Sequence, residues 1–411
     1  MKELAQKCRS LLVYRDVFED AIAGAFLTVL ENLDRPEVAT LAYAEWFSGL
    51  ATRRQGWRDY LLARILLSEN AFTQQAHESF IPNELIRAVR RDAQILQQVY
   101  QVSCQQFADL VGLLPWSNHF DQPESRAWYW EFQRIQKRLE ASEDWAIDFI
   151  DLLSFYRKFG TGMFAEYSAF RWQQGRLIAI ANPDPIQVDE LVGYETQRNQ
   201  LLKNTEFLLS GLPALHILLY GSRGSGKSSL VKSLLGKYEN LRLIEVAKSE
   251  LRDLPAIVEQ LRNLPQKFVI FVDDLSFEED DDAYKALKVV LEGNLTARPQ
   301  NVVVYATSNR RHLIREFFDD RPRPRDADEI HNWDTVQEKL SFSDRFGLTL
   351  TFEPADQVTY LKIVHHLARQ AAISSDDLEF QALQWATRHN GRSGRTARQF
   401  IDFLKAELAH G

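Results

Sequence analysis

The chain has 411 residues, 45% hydrophobic and 26% charged, and a formal net charge of −8. That length predicts two or three domains, each able to bury a core, and the acidic balance excludes a global basic field for nucleic acid or anionic membrane. Two cysteines, Cys8 and Cys104, exclude a disulfide framework and a cysteine-based zinc site.

No apolar run reaches membrane-spanning length, and Met1 to Ser10 holds no signal-peptide apolar core, so a cytoplasmic protein without a membrane span is expected. Residues 1–182 read as a helical, aromatic-rich N-terminal domain. Apolar residues recur at three-to-four spacing over 59–67 and 84–112 (Leu85, Val89, Ile95, Leu96, Val99), which predicts amphipathic helices. Seven of the nine tryptophans lie here: Trp46, Trp57, Trp116, Trp128, Trp130, Trp145 and Trp172. Core packing explains them more economically than a stacking surface for peptides or bases. The turn Gly160-Thr161-Gly162 follows a helical pattern over 149–159 and reads as a helix stop, not a dinucleotide loop.

Asn182-Pro183-Asp184-Pro185 marks a boundary, because closely spaced prolines break both helix and sheet. Beyond it, strand and helix patterns alternate. Strands are predicted at 216–220, 241–246, 268–272, 302–306 and 348–352, giving an α/β domain over 183–352 with a five-stranded parallel sheet. After Glu353-Pro354, helices at 356–372, 376–389 and 395–410 form a third region, 353–411. The Pro/Arg segment 319–326 has nearly cancelling charges and reads as a solvated loop.

The first predicted strand runs into Gly221-Ser222-Arg223-Gly224-Ser225-Gly226-Lys227-Ser228, followed by Ser229 and a helix. This is a G-x-x-x-x-G-K-S loop in strand–loop–helix context, the pattern of a phosphate-binding P-loop. Its glycines allow backbone N–H groups to curl around phosphate oxygens. Lys227 would reach the β/γ-phosphates, and the Ser228 hydroxyl would ligate Mg²⁺. The run Phe268-Val269-Ile270-Phe271-Val272-Asp273-Asp274 delivers two acids to a strand end, a Walker B pattern. Asp273 would hold Mg²⁺, and Asp274 would deprotonate the attacking water. The strand Val302-Val303-Val304-Tyr305-Ala306-Thr307-Ser308-Asn309 ends in polar residues, with Asn309 placed to face a γ-phosphate. The acidic run 278–282 reads as the charged first turn of a helix.

P-loop, Walker B, a polar-ended strand and C-terminal helices in this order resemble the AAA+ ATPase superfamily over about 186–411. The resemblance implies an ATP- and Mg²⁺-dependent ATPase with a helical lid, built as a homo-oligomer whose sites lie between subunits. It implies an arginine finger at Arg345, in Ser343-Asp344-Arg345-Phe346-Gly347, and a sensor-2 arginine at Arg395 or, in second place, Arg398. It also implies that Leu191-Val192-Gly193-Tyr194-Glu195 packs on adenine. Asp273-Asp274 and the Arg345-to-Leu350 run resemble the initiator and helicase-loader branch. The strings 273–277, 284–288, 291–293 and 306–313, together with Glu329-Ile330-His331 and Asp334, resemble an uncharacterised prokaryotic ATP-binding AAA+ family, a domain of unknown function.

Two departures shape the expected activity. Asp274 stands where many AAA+ proteins have glutamate, so slow or partner-activated hydrolysis is expected. Residues 248–254 lack an aromatic-apolar-Gly pore loop, which argues against a threading unfoldase. His365-His366 lack the Glu and spacing of a zinc hydrolase, and His331 near Asp334 suits a loop hydrogen bond better than a metal. Arg310-Arg311 suit nucleic acid or a neighbouring subunit's acids equally. The leading expectation is an ATPase that remodels or loads a protein client held by the N-terminal domain. A slow nucleotide switch that recruits a partner is the alternative, and a DNA-associated loader is disfavoured by the acidic charge.

Overall fold

A computed structural model of the chain describes residues 1–77, 80–119, 129–184, 186–188, 191–276, 282–292, 299–309, 345–373, 377–389 and 391–410. The chain divides into two compact units, Met1–Glu166 and Tyr167–Gly411. Trp128, Pro185, Arg310, Arg311, His331, Asp334, Ser343, Asp344, the 319–326 segment and most of the 278–282 acidic run lie outside the described residues.

The first unit is helical around a single aromatic core. Ala21–Glu31 starts where the Asp20 carboxylate accepts the Ala23 N–H at 2.8 Å, and Pro36–Arg53 starts with proline, whose missing N–H costs nothing there. Trp46, Trp57 and Trp145 are fully buried, with Phe26 stacked between Trp57 (4.4 Å) and Phe107 (4.5 Å), so these indoles are core. Trp130 is 73% exposed. The amphipathic run expected over 84–112 is two helices, Asn83–Gln101 and Cys104–Asp109. Ser103 and Gln106 form a capping box between them, a local bond set that competes with helix continuation. Gly160, at φ +74, ends Leu152–Phe159, as a helix stop should.

Two buried acids hold irregular backbone in this unit. Asp92, 0% exposed, accepts N–H groups from Leu12 (2.9 Å), Val13 (2.7 Å) and Tyr14 (3.2 Å). Asp59 contacts His119 Nδ1 at 2.8 Å and accepts from Gln136 Nε2 at 2.7 Å, while His119 Nε2 lies 3.5 Å from Glu140. The adjoining loop is pinned where Trp57 and Arg58 N–H groups donate to the Ser117 and Asn118 carbonyls.

The second unit contains a seven-stranded, mostly parallel sheet in the order β2-β1-β4-β5-β6-β3-β7. The strands are β1 Ala169–Gln173, β2 Arg176–Ala179, β3 Ile217–Gly221, β4 Leu241–Val246, β5 Lys267–Val272, β6 Val302–Ser308 and β7 Leu348–Phe352. The five-stranded expectation is thereby corrected. β3 to β7 are the expected strands, and a hairpin adds two more, with β1 parallel to β4 and β2 antiparallel to β1. Gln174 (φ +51) and Gly175 (φ +74) make its two-residue turn, a left-handed pair that suits the twist of a hairpin. Trp172 therefore sits in a strand, its Nε1 donating to Asp253 at 3.0 Å, and not in the helical region. β5 and β6 are buried along nearly their whole length, as central parallel strands covered on both faces must be. β3 begins one residue later than expected, because the His216 ring, not its backbone, takes the Val304 N–H at 2.9 Å.

Three helices follow β7: Gln357–Gln370, capped by Asp356 on the Thr359 N–H, then Leu378–Arg388 and Gly394–His410. They share a separate apolar cluster centred on Tyr360, Val364, Ala382 and Ala397. Among the described residues, no helix is long and apolar enough to cross a membrane.

His119 is held protonated above the ordinary histidine range, chiefly by its hydrogen bond to Asp59, with burial opposing. A raised folded-state value stabilises the fold fully below about pH 6.5, and that contribution is lost as pH rises through the raised value. Thermal unfolding from pH 5.5 to 8.5 should therefore show stability falling with pH. His119→Gln should flatten the part of the slope that belongs to this group.

Candidate functional site

The site is built at the C-terminal edge of the sheet, where β3 turns sharply. Gly221 leaves the strand at φ +133, and a Cβ there would lie 2.0 Å from the Phe352 carbonyl oxygen, so only glycine fits. The same carbonyl accepts the Ser222 N–H at 2.8 Å, which ties the start of the loop to the end of β7. Gly224 (φ +74) and Gly226 (φ +88) keep the loop in left-handed conformations that direct N–H groups inward. Ser225 Oγ closes the loop on the Ser222 carbonyl at 2.9 Å.

Lys227, 6% exposed, opens the helix Lys227–Lys232 and folds back over the loop. Its Nζ donates to the carbonyls of Gly221 (3.0 Å) and Ser222 (2.7 Å) and to Asn309 Oδ1 (3.3 Å). Burial lowers its pKa from the usual lysine range, while the charges of Asp273 and Asp274 pull it back up.

Strand order explains what meets this lysine. β6 lies between β5 and β3, with Val272 opposite Ala306 and Leu219 opposite Thr307, so the ends of all three strands converge. Ser228 Oγ donates to Asp273 Oδ1 at 2.6 Å. Thr307 Oγ1 donates to the same oxygen at 2.5 Å and accepts the Asp274 N–H at 2.9 Å. Asn309 Nδ2 donates to Asp274 Oδ1 at 2.7 Å, so Asn309 bridges Lys227 and Asp274. Asp274 itself has φ +51, a region in which Asp and Asn are enriched among non-glycine residues.

These groups line a cavity of about 720 Å³, within the size range of small-ligand sites. Arg223, Gly224, Ser225, Gly226, Ser228 and Ser229 line its polar end. Leu191, Val192, Tyr194, Ile363 and Leu367 supply an apolar end. Arg395 and Arg398 both stand on the wall, and the Arg395 N–H donates to the Gly224 carbonyl at 3.2 Å. Gly193 is not on the wall. At φ +101 it abuts the helix Gln357–Gln370, where a Cβ would meet Thr359 at 2.7 Å. Its N–H donates to Glu195, whose carboxyl is held down to about 2 chiefly by its hydrogen bond with Lys362. Gly221 and Ser222 underlie the loop without lining this cavity.

Arg345 is elsewhere. It precedes β7 at the opposite edge of the sheet and pairs with Glu292, the last residue of Asp282–Glu292. Five residues of strand, about 13 Å, separate that edge from the loop. Arg198, Phe352, Ile363, Leu367 and Gln399 enter the wall without having been marked in the sequence, and so does Thr307, whereas Tyr194 belongs to the run expected to pack on adenine. Only Thr307 left a usable signal: it lies two residues before Asn309, so alternation along an extended chain puts both on one face. His365 pairs with Glu379 at 2.7 Å on the surface of the C-terminal helices.

A family model described as a protein of unknown function, DUF815, matches residues 165–408. The chain belongs to this family. The mostly parallel sheet, the glycine turn after β3 and the C-terminal helices are broadly AAA+-like in fold. A probable spastin homolog from Brugia malayi is 25% identical over 157 residues; the match spans 32% of this chain and only 35% of that protein's length. The Thermotoga maritima RuvB Holliday junction branch migration motor aligns over 54% of this DUF815 chain and 72% of its own, at 15% identity and a TM-score of 0.32. Its K64R mutant aligns over the same shares at 14% identity and a TM-score of 0.34.

Gly221→Ala should cost more than about 1 kcal/mol, because both its φ and the Phe352 carbonyl oppose a Cβ. A thermal melt should drop by about 2–4 °C or more, and a melt equal to wild type would contradict the geometry of this turn.

Proposed function

We propose that this DUF815 protein binds Mg·ATP in the cavity and hydrolyses it, with the site completed by a second copy of the chain. The observation that carries this reading is the single hydrogen-bonded network joining Lys227, Ser228, Asp273, Asp274 and Asn309 on one wall.

The donor set fits the groups concerned. Ser228 Oγ and the Asp273 carboxylate are hard oxygen ligands side by side, suited to hold Mg²⁺, which when bound neutralises phosphate charge. Loop N–H groups and the Lys227 ammonium bind phosphate oxygens, Lys227 exchanging carbonyl partners for charged ones. The Asp274 carboxylate accepts a proton from water, and Asn309 orients it while contacting Lys227. Leu191, Val192, Ile363 and Leu367 give adenine an apolar slot. Arg395, with Arg398 beside it, adds positive charge from the lid. Arg345 does not reach its own chain's cavity, so its charge acts on a neighbouring copy's site.

The same network supports a partner-activated, slow cycle. Asp274 is engaged by Asn309, and Lys227 by three oxygens of its own chain, so both must exchange partners before turnover. The N-terminal unit is the proposed client-binding part. Trp46, Trp57 and Trp145 are consumed by its core, so contact with a client falls to other residues at the surface of this unit. A protein client, not nucleic acid, is favoured by the net charge of −8.

Lys227→Ala should remove ATP binding in a fluorescent-nucleotide titration. Asp274→Asn should keep binding and lose about 10²–10⁴-fold in phosphate release, the usual range for a general base. Arg345→Ala should also bind without turnover, and mixing it with Lys227→Ala protein should restore part of the activity, since mixed neighbours supply one intact site. Full turnover by Arg345→Ala alone would sink the shared-site reading.

A further inference from the structure

The two acids at the end of β5 point to different partners, one to Ser228 and the other to Asn309, although they are consecutive. Something must hold the turn between them. We infer that Thr307 is a positioning residue for both acids, acting through its hydroxyl; this rests on the reading of Asp273 and Asp274 given above.

The hydroxyl has one proton and two lone pairs, and both kinds of group are used. Its proton goes to Asp273 Oδ1 at 2.5 Å, because an ionised carboxylate can only accept. A lone pair takes the Asp274 N–H at 2.9 Å. The Thr307 carbonyl then accepts the Leu275 N–H at 2.7 Å. One residue of β6 thus grips three consecutive residues after β5. Thr307 is 2% exposed, so water does not compete for these bonds.

Asp274 shows what the grip accomplishes. At φ +51 its backbone is out of line with the strand, and its N–H points sideways to the hydroxyl instead of continuing the sheet ladder. That turn swings the Asp274 carboxylate to Asn309, while Asp273 Oδ1 stays between Ser228 Oγ and Thr307 Oγ1. Without the hydroxyl, the Asp274 N–H keeps only the longer contact to Asp273 Oδ1, at 3.2 Å, and each carboxylate is left with one side-chain donor, Ser228 for Asp273 and Asn309 for Asp274.

The plain alternative is that Thr307 merely fills a buried, β-branched strand position. Valine fills that position equally well, whereas serine keeps the hydroxyl and loses the methyl. Steady-state ATP hydrolysis by Thr307→Val, Thr307→Ser and wild type, with Mg²⁺ titrated at fixed ATP, therefore separates the two. Thr307→Val should lose about 10–100-fold in kcat, the worth of a buried hydrogen bond to a charged group. Its KM for ATP should stay within about threefold of wild type, since the phosphate loop is untouched, and its Mg²⁺ half-saturation should rise. Thr307→Ser should restore most of kcat. If Thr307→Val fails to fold, Thr307→Cys, which keeps the volume and weakens the donor, should show an intermediate loss.

Unchanged kcat and Mg²⁺ dependence in Thr307→Val, or Thr307→Ser as impaired as Thr307→Val, overturns the positioning role alone. Wild-type protein that binds ATP but never releases phosphate, even with neighbouring subunits at high concentration, overturns the hydrolysis reading and the positioning role together.

Discussion

Everything at the cavity depends on how β3 leaves the sheet. Gly221 turns against the Phe352 carbonyl with no room for a side chain, and Ser222 is hydrogen-bonded to that same oxygen. The exit is therefore braced by β7, an edge strand of the sheet. From it follow the loop path, the start of the Lys227 helix and the distance from Lys227 to β6. A small displacement of β7 would be felt by the lysine through two carbonyls, Gly221 and Ser222.

A second constraint is polar saturation. A buried ammonium is costly unless each of its donors has a partner, and Lys227 finds three inside its own chain. Asn309 spends its oxygen on Lys227 and its amide on Asp274. The positive and negative groups of the site thus neutralise each other through one amide side chain. A phosphate entering this network must offer Lys227 better acceptors than two carbonyls and an amide, which charged phosphate oxygens do.

How much of this was legible in the residues varies with its cause. β5 and β6 were plain, since the apolar runs 268–272 and 302–306, each followed by polar residues, are what central parallel strands look like. The loop was plain too, because its glycines, lysine and serine occupy consecutive positions. The β1–β2 hairpin was not. Its aromatic residues continue a helical, tryptophan-rich stretch, and only the Gln174-Gly175 turn distinguishes it. The spacing of Thr307 from Asn309 gives its face of the strand, but its hold on Asp273 and Asp274 depends on the register between β5 and β6, which sequence spacing does not contain. The Arg345–Glu292 pair and the Asp92 grip on Leu12 to Tyr14 span large sequence separations and follow from packing alone. The shorter acid at position 274, a departure in the sequence, has a backbone reason: aspartate tolerates left-handed φ better than glutamate.

The bond from the Arg395 N–H to the Gly224 carbonyl ties the first turn of Gly394–His410 to the glycine loop after β3. That helix has 17 residues and is about 25 Å long. Joined to the loop at one end, it is a lever: a tilt of about 10° at Gly224 carries its far end about 4 Å, by the geometry of a rigid rod of that length. A rearrangement of loop backbone too small to alter the sheet is thereby magnified at the far end of this helix, about five turns away.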